Sequence, residues 1–151
     1  MEQKPWEEPD LFKAKELEVT QWIDANGNPI QPISLSDFPS KFKVIYCFQS
    51  WCKGCHTRGF PSLERMIFEK QHNKDIVFLA IQTVFEGHNE NSYEKMVATQ
   101  KEYGLKIPFG HDPGDESTNY ISKIMTNYRT GGTPWFIIIN EKNTVVFSDF
   151  I

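Results

Sequence analysis

Two cysteines, Cys52 and Cys55, form a C-x-x-C motif between an apolar run and an amphipathic stretch. The apolar run at residues 42–49 predicts a buried strand, and the stretch at residues 60–69 predicts a helix. A C-x-x-C pair at a strand-to-helix junction is typical of redox chemistry. The first thiol lies near the first helical turn, where free N–H groups and the helix dipole stabilise the reactive thiolate. The second cysteine follows three residues later, so it can close a disulfide with the first.

The neighbours of the motif are candidates for tuning the reactive sulfur and for contacting a substrate. Lys53 adds positive charge beside the thiolate, although an exposed turn lysine is an equally simple interpretation. His56 can share a helical face with Cys52, where it would stabilise the thiolate or shuttle a proton; a solvated helix histidine is the alternative. Trp51 predicts a flat surface that shields the sulfur and contacts substrate, with core packing as its alternative. Cys47 falls within the apolar run and predicts a buried, unreactive thiol.

Two other chemistries use cysteines at this spacing. A zinc site needs further ligands, and the sequence has no second C-x-x-C motif and no H-x-x-x-H cluster, so we predict no metal site. With His56 the motif also matches the C-x-x-C-H pattern of c-type haem attachment. The apolar strand before the motif and its single copy favour the redox interpretation. We therefore predict no cofactor and keep haem attachment as an alternative.

Composition and charge fit a single globular domain without a nucleic-acid partner. The 151 residues are 39% hydrophobic and 14% aromatic, which is enough for a substantial core. The net charge is −4 and there is no basic run. No stretch approaches the roughly 20 apolar residues of a membrane span, and the N-terminus lacks the apolar core of a signal peptide. We expect no membrane contact and a cytoplasmic location, or an exported one if a leader has been removed.

Strands that alternate with helices before a final hairpin predict an α/β domain with a mixed sheet. Residues 1–16 are charged and contain proline, which predicts a loose arm, and residues 17–151 form the domain. The chain stops after the last strand, where a closing helix is expected. The predicted strands are residues 17–23, 30–33, 42–49, 76–81, 135–139 and 144–147. The predicted helices are residues 60–69, with a kink at Pro61, residues 92–103, and residues 117–128, with Tyr120 on its core face.

Two motifs together resemble the thioredoxin-like superfamily. Trp51 precedes the C-x-x-C pair at a strand–helix junction, and Thr133-Pro134 opens a late strand about 80 residues further on, as a cis-proline does in that family. An N-terminal hairpin at residues 17–33 and an inserted strand–helix within residues 86–112 look most like the TlpA/ResA and redoxin (AhpC/TSA-like) branch. The resemblance covers residues 17–151 and implies a thioredoxin-like three-layer fold around a mixed central sheet.

The resemblance implies thiol–disulfide exchange with protein or small-molecule disulfides and with a redox partner protein. It implies that Cys52 is the attacking thiol and that Cys55 resolves the mixed disulfide. It also implies that Thr133-Pro134 forms the loop that faces the substrate.

The sequence departs from the family pattern at three places near the motif. Tyr46 stands where thioredoxin has a buried Asp. Arg58 and Gly59 stand where TlpA-like proteins have a Glu. Pro61 comes one residue later than the family's helix-kinking proline. The usual proton acceptor for the resolving thiol is therefore missing, and Glu86 is a candidate replacement.

The alternative within the resemblance is a peroxiredoxin-like peroxidase that uses Cys52. Those enzymes resemble P-x-x-x-T-x-x-C, but here Ile45 and Gln49 stand at the Pro and Thr positions, so no peroxide site is predicted. Arg129 is the only residue that resembles a part of such a site. A non-catalytic binding module is a further alternative, and the intact C-x-x-C motif argues against it.

Overall fold

Seven strands form one mixed sheet in the computed structural model of the protein, which describes residues 13–150. In chain order the strands are β1 (Gln21–Ile23), β2 (Pro29–Ile30), β3 (Phe42–Phe48), β4 (Ile76–Thr83), β5 (Phe109–Asp112), β6 (Trp135–Ile139) and β7 (Val145–Phe150). Across the sheet they lie in the order β2-β1-β5-β4-β3-β6-β7. Strands β3, β4 and β5 are parallel, and the other neighbours are antiparallel. The predicted mixed sheet with an N-terminal hairpin is confirmed.

Helices cover both faces of this sheet, so the protein has three layers. Successive residues of β3 point to opposite faces, and Tyr46 packs in one apolar cluster while Ile45 packs in the other. Helices α1 (Phe60–Lys70) and α2 (Tyr93–Tyr103) cover the first face, and α3 (Lys123–Tyr128) covers the second. Within residues 13–150, every helix falls short of the length or the apolar character that a bilayer crossing requires.

The N-terminal hairpin is shorter than the sequence pattern predicts. The strand predicted over residues 17–23 begins only at Gln21, because Glu18 adopts a left-handed backbone conformation with φ of 56°. The returning strand covers only Pro29–Ile30. Both strands still extend the sheet beyond β5, since β1 pairs with it antiparallel.

The predicted loose arm over residues 1–16 lies mostly outside the described residues. Its last part is held against the turn between β6 and β7, where Lys13 pairs with Thr144. The backbone N–H of Ala14 also donates to the carbonyl of Asn143 over 2.8 Å. Strand β7 runs to Phe150, three residues beyond the predicted end of the last strand.

Helix α2 has the ends that the sequence predicts. The hydroxyl of Ser92 caps its start by accepting a hydrogen bond from the backbone N–H of Lys95 over 3.2 Å. Gly104 ends it in a left-handed conformation with φ of 60°, which glycine adopts without steric cost. The inserted strand–helix that the sequence predicts within residues 86–112 is therefore present as α2 and β5.

The helix predicted over residues 117–128 is wrong in its first half. A single 3-10 turn, Glu116–Thr118, is followed by Asn119 and Tyr120, whose φ angles of 55° and 59° cannot continue a helix. Tyr120 is therefore 56% exposed instead of lying in the core. Only Lys123–Tyr128 is α-helical.

A buried carboxylate sets this later start of α3. Asp112 at the end of β5 accepts hydrogen bonds from the hydroxyl of Ser122 (2.6 Å) and from the backbone N–H groups of Lys123 (3.0 Å) and Ile124 (2.9 Å). Ser122 in turn accepts from the N–H of Met125. These bonds satisfy the free N–H groups at the helix start, so the position of Asp112 in the sheet outweighs the helical spacing of the apolar residues.

Candidate active site

The segment between β3 and Cys52 is held by side-chain hydrogen bonds to the loop that follows β4. The amide oxygen of Gln49 accepts from the backbone N–H of Phe85 over 3.1 Å. The backbone N–H of Trp51 donates to the side-chain oxygen of Asn91 over 3.1 Å. Both anchoring side chains are buried, so the backbone that leads into Cys52 is fixed by the interior of the protein rather than by solvent contacts.

Gln82, near the end of β4, anchors Ser50 in the same segment. Its amide oxygen accepts from both the backbone N–H (3.0 Å) and the hydroxyl (2.5 Å) of Ser50. Its amide nitrogen donates to the carbonyl of Ser92 (2.9 Å) and lies 3.1 Å from Nδ1 of His111. Ser50 also shares a hydrogen bond with the hydroxyl of Thr99 on α2. One fully buried glutamine therefore joins β4, β5, α2 and the approach to the dithiol.

Cys52 and Cys55 form a disulfide, with their Cα atoms 5.2 Å apart. Cys55 is fully buried, whereas Cys52 is partly exposed. The backbone N–H of Cys55 donates to the sulfur of Cys52 over 3.1 Å. Because such a donor stabilises a thiolate, the arrangement favours Cys52 as the sulfur that ionises and meets solvent.

A π-helical turn, Cys55–Gly59, connects the dithiol to α1. The backbone N–H of Phe60 donates to the carbonyl of Cys55, five residues back, and the hydroxyl of Tyr46 donates to the same carbonyl over 3.0 Å. A π turn contains one residue more than an α turn, which accommodates a proline that comes one residue later than in the family pattern. Pro61 is then the second residue of α1, directly after the π turn. The kink predicted at Pro61 stays a prediction, and the irregular turn of the structure lies just before that residue.

Pro134 packs directly on this turn. The peptide bond between Thr133 and Pro134 is cis, as the resemblance predicts. A side chain cannot fit at Gly59, since its Cβ would lie 2.1 Å from the hydroxyl of Tyr46 and 2.8 Å from Cβ of Pro134. A Cβ at Gly54 would lie 3.3 Å from Cδ of Pro134. Two glycines therefore let the start of β6 lie against the dithiol turn.

His56 is bonded on both ring nitrogens to groups other than the thiols. Its Nε2 lies 2.6 Å from the carbonyl of Ser50, and its Nδ1 lies 2.5 Å from the hydroxyl of Tyr103. Since a carbonyl can only accept, Nε2 donates in that bond, and Nδ1 shares a hydrogen bond with the hydroxyl of Tyr103. The ring also stacks on Tyr103 at 5.7 Å. His56 thus connects the turn to α2, while Lys53 lies exposed beside it.

Trp51 lies at the surface beside Cys52. Its side chain is 49% exposed, and its ring packs over Gly87, where a Cβ would come within 2.5 Å of the indole. Gly87 has φ of 60°, so both the backbone shape and the close approach require glycine there. The indole is thus held as a fixed, half-exposed surface at the edge of the site.

Cys47 is buried, as the sequence predicts. Burial first, and the charge of the Asp112 carboxylate second, raise the pKa of its thiol, so it stays protonated and unreactive. Burial likewise raises the pKa of Tyr46, whose hydroxyl remains a donor to Cys55. Among residues 13–150, no three His, Cys, Asp or Glu side chains gather as metal ligands do.

The other candidates from the sequence lie in exposed loops. Glu86 is exposed, and its carbonyl accepts from the side chain of Asn91. Arg129 ends α3 in a left-handed conformation and is exposed. Sequence reasoning missed Gln82, Asn91 and Tyr103. A glutamine that interrupts the apolar run of β4 is a signal for the first, whereas nothing local distinguishes the other two from surface residues.

The family model described as Redoxin matches residues 14–149. A solved structure of a thioredoxin-like superfamily protein is 30% identical, with a TM-score of 0.79, over 92% of this chain and 86% of that one. A thiol-disulfide isomerase from Corynebacterium glutamicum is 27% identical, with a TM-score of 0.80, over 93% and 87%. A thiol-disulfide oxidoreductase from Bacteroides fragilis shares the fold at 17% identity and a TM-score of 0.64, over 89% and 90%. No curated protein matches the chain.

These comparisons confirm the predicted thioredoxin-like fold and its redoxin branch. The first two of these structures align with 92% and 93% of this chain, so the likeness covers most of the sheet and its helices.

Proposed function

Because the chain belongs to the Redoxin family, we propose that it is a thiol–disulfide oxidoreductase that exchanges its Cys52–Cys55 pair with protein or small-molecule disulfides. The observation that carries the proposal is the difference between the two sulfurs. Cys52 is partly exposed and accepts an N–H donor, whereas Cys55 is buried directly behind it. One sulfur is therefore suited to attack a substrate and the other to resolve the product.

In the reduced protein, the Cys52 thiolate attacks one sulfur of a substrate disulfide. A bond forms between Cys52 and that sulfur, and the substrate's other sulfur leaves as a thiolate that takes up a proton. Cys55 then loses its proton, attacks the sulfur of Cys52 and releases the second substrate thiolate. Two electrons pass from the protein to the substrate, and a redox partner with a dithiol returns them.

The surroundings of the pair support the proposed roles. Trp51, which precedes Cys52 and is half-exposed, and the Thr133-Pro134 loop, whose proline lies against Gly54 and Gly59, are the proposed substrate surface. Lys53 adds a positive charge within the turn. Tyr46 is unsuited to accept the proton of Cys55, because its hydroxyl donates to a carbonyl and burial raises its pKa.

The Redoxin family also includes peroxidases, and a peroxidase that uses Cys52 is the second candidate. Gln49, at the position of the peroxidase threonine, uses its amide oxygen to hold the N–H of Phe85 and is 1% exposed. A buried side chain with its oxygen engaged is poorly placed to bind peroxide, which favours disulfide exchange.

Trapping of mixed disulfides tests the proposal. In Cys55→Ala the second step is blocked, so we expect adducts between Cys52 and a disulfide peptide or partner protein to accumulate. Cys52→Ala should form none, and Cys47→Ala should behave as the parent protein, because Cys47 is buried. Rapid sulfenic acid formation at Cys52 with peroxide, without trapped adducts, would instead support the peroxidase.

A further inference from the structure

Two cationic side chains lie at the dithiol turn although the protein as a whole is acidic. Lys53 and Arg58 lie in or next to the turn, and the first acidic residue after the motif is Glu64, in a chain of net charge −4. Within residues 13–150 the one ion pair joins Lys123 to Asp115, away from this turn. The basic groups at the dithiol therefore have no carboxylate partner in the part of the chain that the structure describes.

Arg58 lies beside Gly54, which stands between the two cysteines, and next to the proposed substrate surface. A Cβ built on Gly54, between the two cysteines, would lie 3.4 Å from Nη2 of Arg58 and 3.3 Å from Cδ of Pro134. The guanidinium and the proline ring thus flank the same point on the surface of the turn. The side chain of Arg58 is exposed and forms no ion pair with a carboxylate of residues 13–150.

A guanidinium in this position is suited to a carboxylate. It presents several N–H donors in a plane, which match the two oxygens of a carboxylate in a bidentate pair. An extended peptide that passes over Pro134 would bring the residues beside its own cysteine towards Gly54 and Arg58. An Asp or Glu there would find a partner, whereas a Lys or Arg would meet like charge.

We propose that Arg58 is a specificity-determining residue, which selects disulfides flanked by a carboxylate in the substrate. This inference rests on the proposed function, since it concerns the same exchange reaction. The substrate class that it names is an acidic peptide segment containing a disulfide, whose Asp or Glu lies next to the attacked cysteine.

The test uses two disulfide-bonded peptides that differ only by Glu or Gln beside the cysteine. Reduction by the full chain, recycled with dithiothreitol, gives kcat/KM for each peptide. We expect the parent protein to prefer the Glu peptide on the order of tenfold. The preference should fall to about one in Arg58→Gln, should invert in Arg58→Glu, and should weaken in high salt.

Arg65→Gln is the matched control, because Arg65 is an exposed arginine on α1 beyond the turn and should keep the parent preference. A preference that is unchanged in Arg58→Gln would overturn the inference. A pH profile of Cys52 alkylation separates a second explanation: a shifted profile in Arg58→Gln, with both peptides slowed equally, would assign Arg58 to the thiolate and would also overturn it.

The same experiment distinguishes failure of the inference from failure of the proposed function. If the parent protein reduces both peptides at equal rates, disulfide exchange is supported and the proposed role of Arg58 is contradicted. If it reduces neither peptide while Cys52 is fully reduced, disulfide exchange itself is contradicted.

Discussion

Tyr46 and Gly59 illustrate how the site depends on single atoms. Tyr46 occupies the position of thioredoxin's buried Asp, and its hydroxyl donates to the carbonyl of Cys55 instead of accepting a proton. The longer side chain leaves no room at Gly59, where a Cβ would overlap the hydroxyl. Tyr46 in this position therefore requires a glycine at residue 59.

Gly59→Ala should destabilise the protein by about 1–3 kcal/mol, because an added methyl group forces Tyr46 or Pro134 to move. Urea unfolding of the oxidised protein measures the loss. Gly54→Ala is the control with a weaker steric conflict, because a Cβ there would lie 3.3 Å from Pro134 rather than 2.8 Å. It should therefore lower the free energy of unfolding by less than Gly59→Ala does. Equal stabilities for Gly59→Ala and the parent protein would show that the turn has more room than the structure indicates.

His111 should make the stability depend on pH in the acidic range. Burial lowers its pKa from the usual 6.5 to about 4; the charge of Glu94 raises this pKa by a smaller amount, and the charge of His88 lowers it further. Below 6.5 the unfolded chain binds a proton at this histidine, whereas the folded protein does so only near pH 4. This histidine therefore does not lower the free energy of unfolding above pH 6.5. As the pH drops from 6.5 to 4, it lowers the free energy of unfolding by up to about 3 kcal/mol.

Unfolding of His111→Asn at several pH values isolates that contribution. The asparagine oxygen can replace Nδ1 as the acceptor for Gln82, so the variant should fold while losing the steep part of the pH dependence between 4 and 6.5. His72→Asn, at an exposed position, should keep the parent slope. A slope in His111→Asn as steep as that of the parent would exclude His111 as its source.

At the scale of elements, β4 and the loop that follows it position the dithiol. Three successive residues before Cys52 bond to Phe85, Gln82 and Asn91, so the approach to the motif is fixed by a segment 30 to 40 residues further along the chain. The sequence predicts the strand and the helix on either side of the motif, but not this support. Such support depends on which loop the parallel pairing of β3 and β4 brings alongside, and local patterns do not encode that.

Gln82→Ala should weaken both the fold and the reaction. It leaves the backbone N–H of Ser50 without its buried acceptor, which costs about 1–3 kcal/mol, whereas the hydroxyl of Ser50 keeps Thr99 as a partner. Because Ser50 leads into Cys52, the rate of disulfide reduction should fall as well. Gln71→Ala removes an exposed glutamine after α1 and should change neither quantity. Parent-like stability and rate in Gln82→Ala would contradict this role of the β4 glutamine.

The errors in the predicted elements have the same origin. The helix predicted over residues 117–128 has suitable apolar spacing, but its first half is displaced because Asp112 caps the later turn from inside the sheet. The π turn at Cys55–Gly59 follows from the position of Pro61 relative to the family pattern, which periodicity alone cannot reveal. Where a long-range contact competes with a local pattern, the contact decides the structure.

At the scale of the whole molecule, the fold brings three distant segments to one end of the sheet. The dithiol turn follows the end of β3, and the loop after β4 forms hydrogen bonds to the segment before that turn. Pro134, at the start of β6, packs against the turn. Both the motif and the Thr133-Pro134 pair are visible in the sequence, so the fold class and the centre of the candidate site could be predicted from it. The attacking role of Cys52 is likewise an expectation from the sequence, whereas the burial of Cys55 and the place of Arg58 required the three-dimensional arrangement.

The proposed reaction requires that Cys52 attacks the disulfide and that Cys55 completes the exchange. In the decisive experiment, fully reduced protein reacts once with excess peptide disulfide. The thiol released is measured at several pH values. We predict two thiols released per protein molecule, a Cys52–Cys55 disulfide as the product, and a rate midpoint below about pH 8.5, the ordinary thiol pKa. Release of no thiol, or of one thiol without the internal disulfide, would contradict the account.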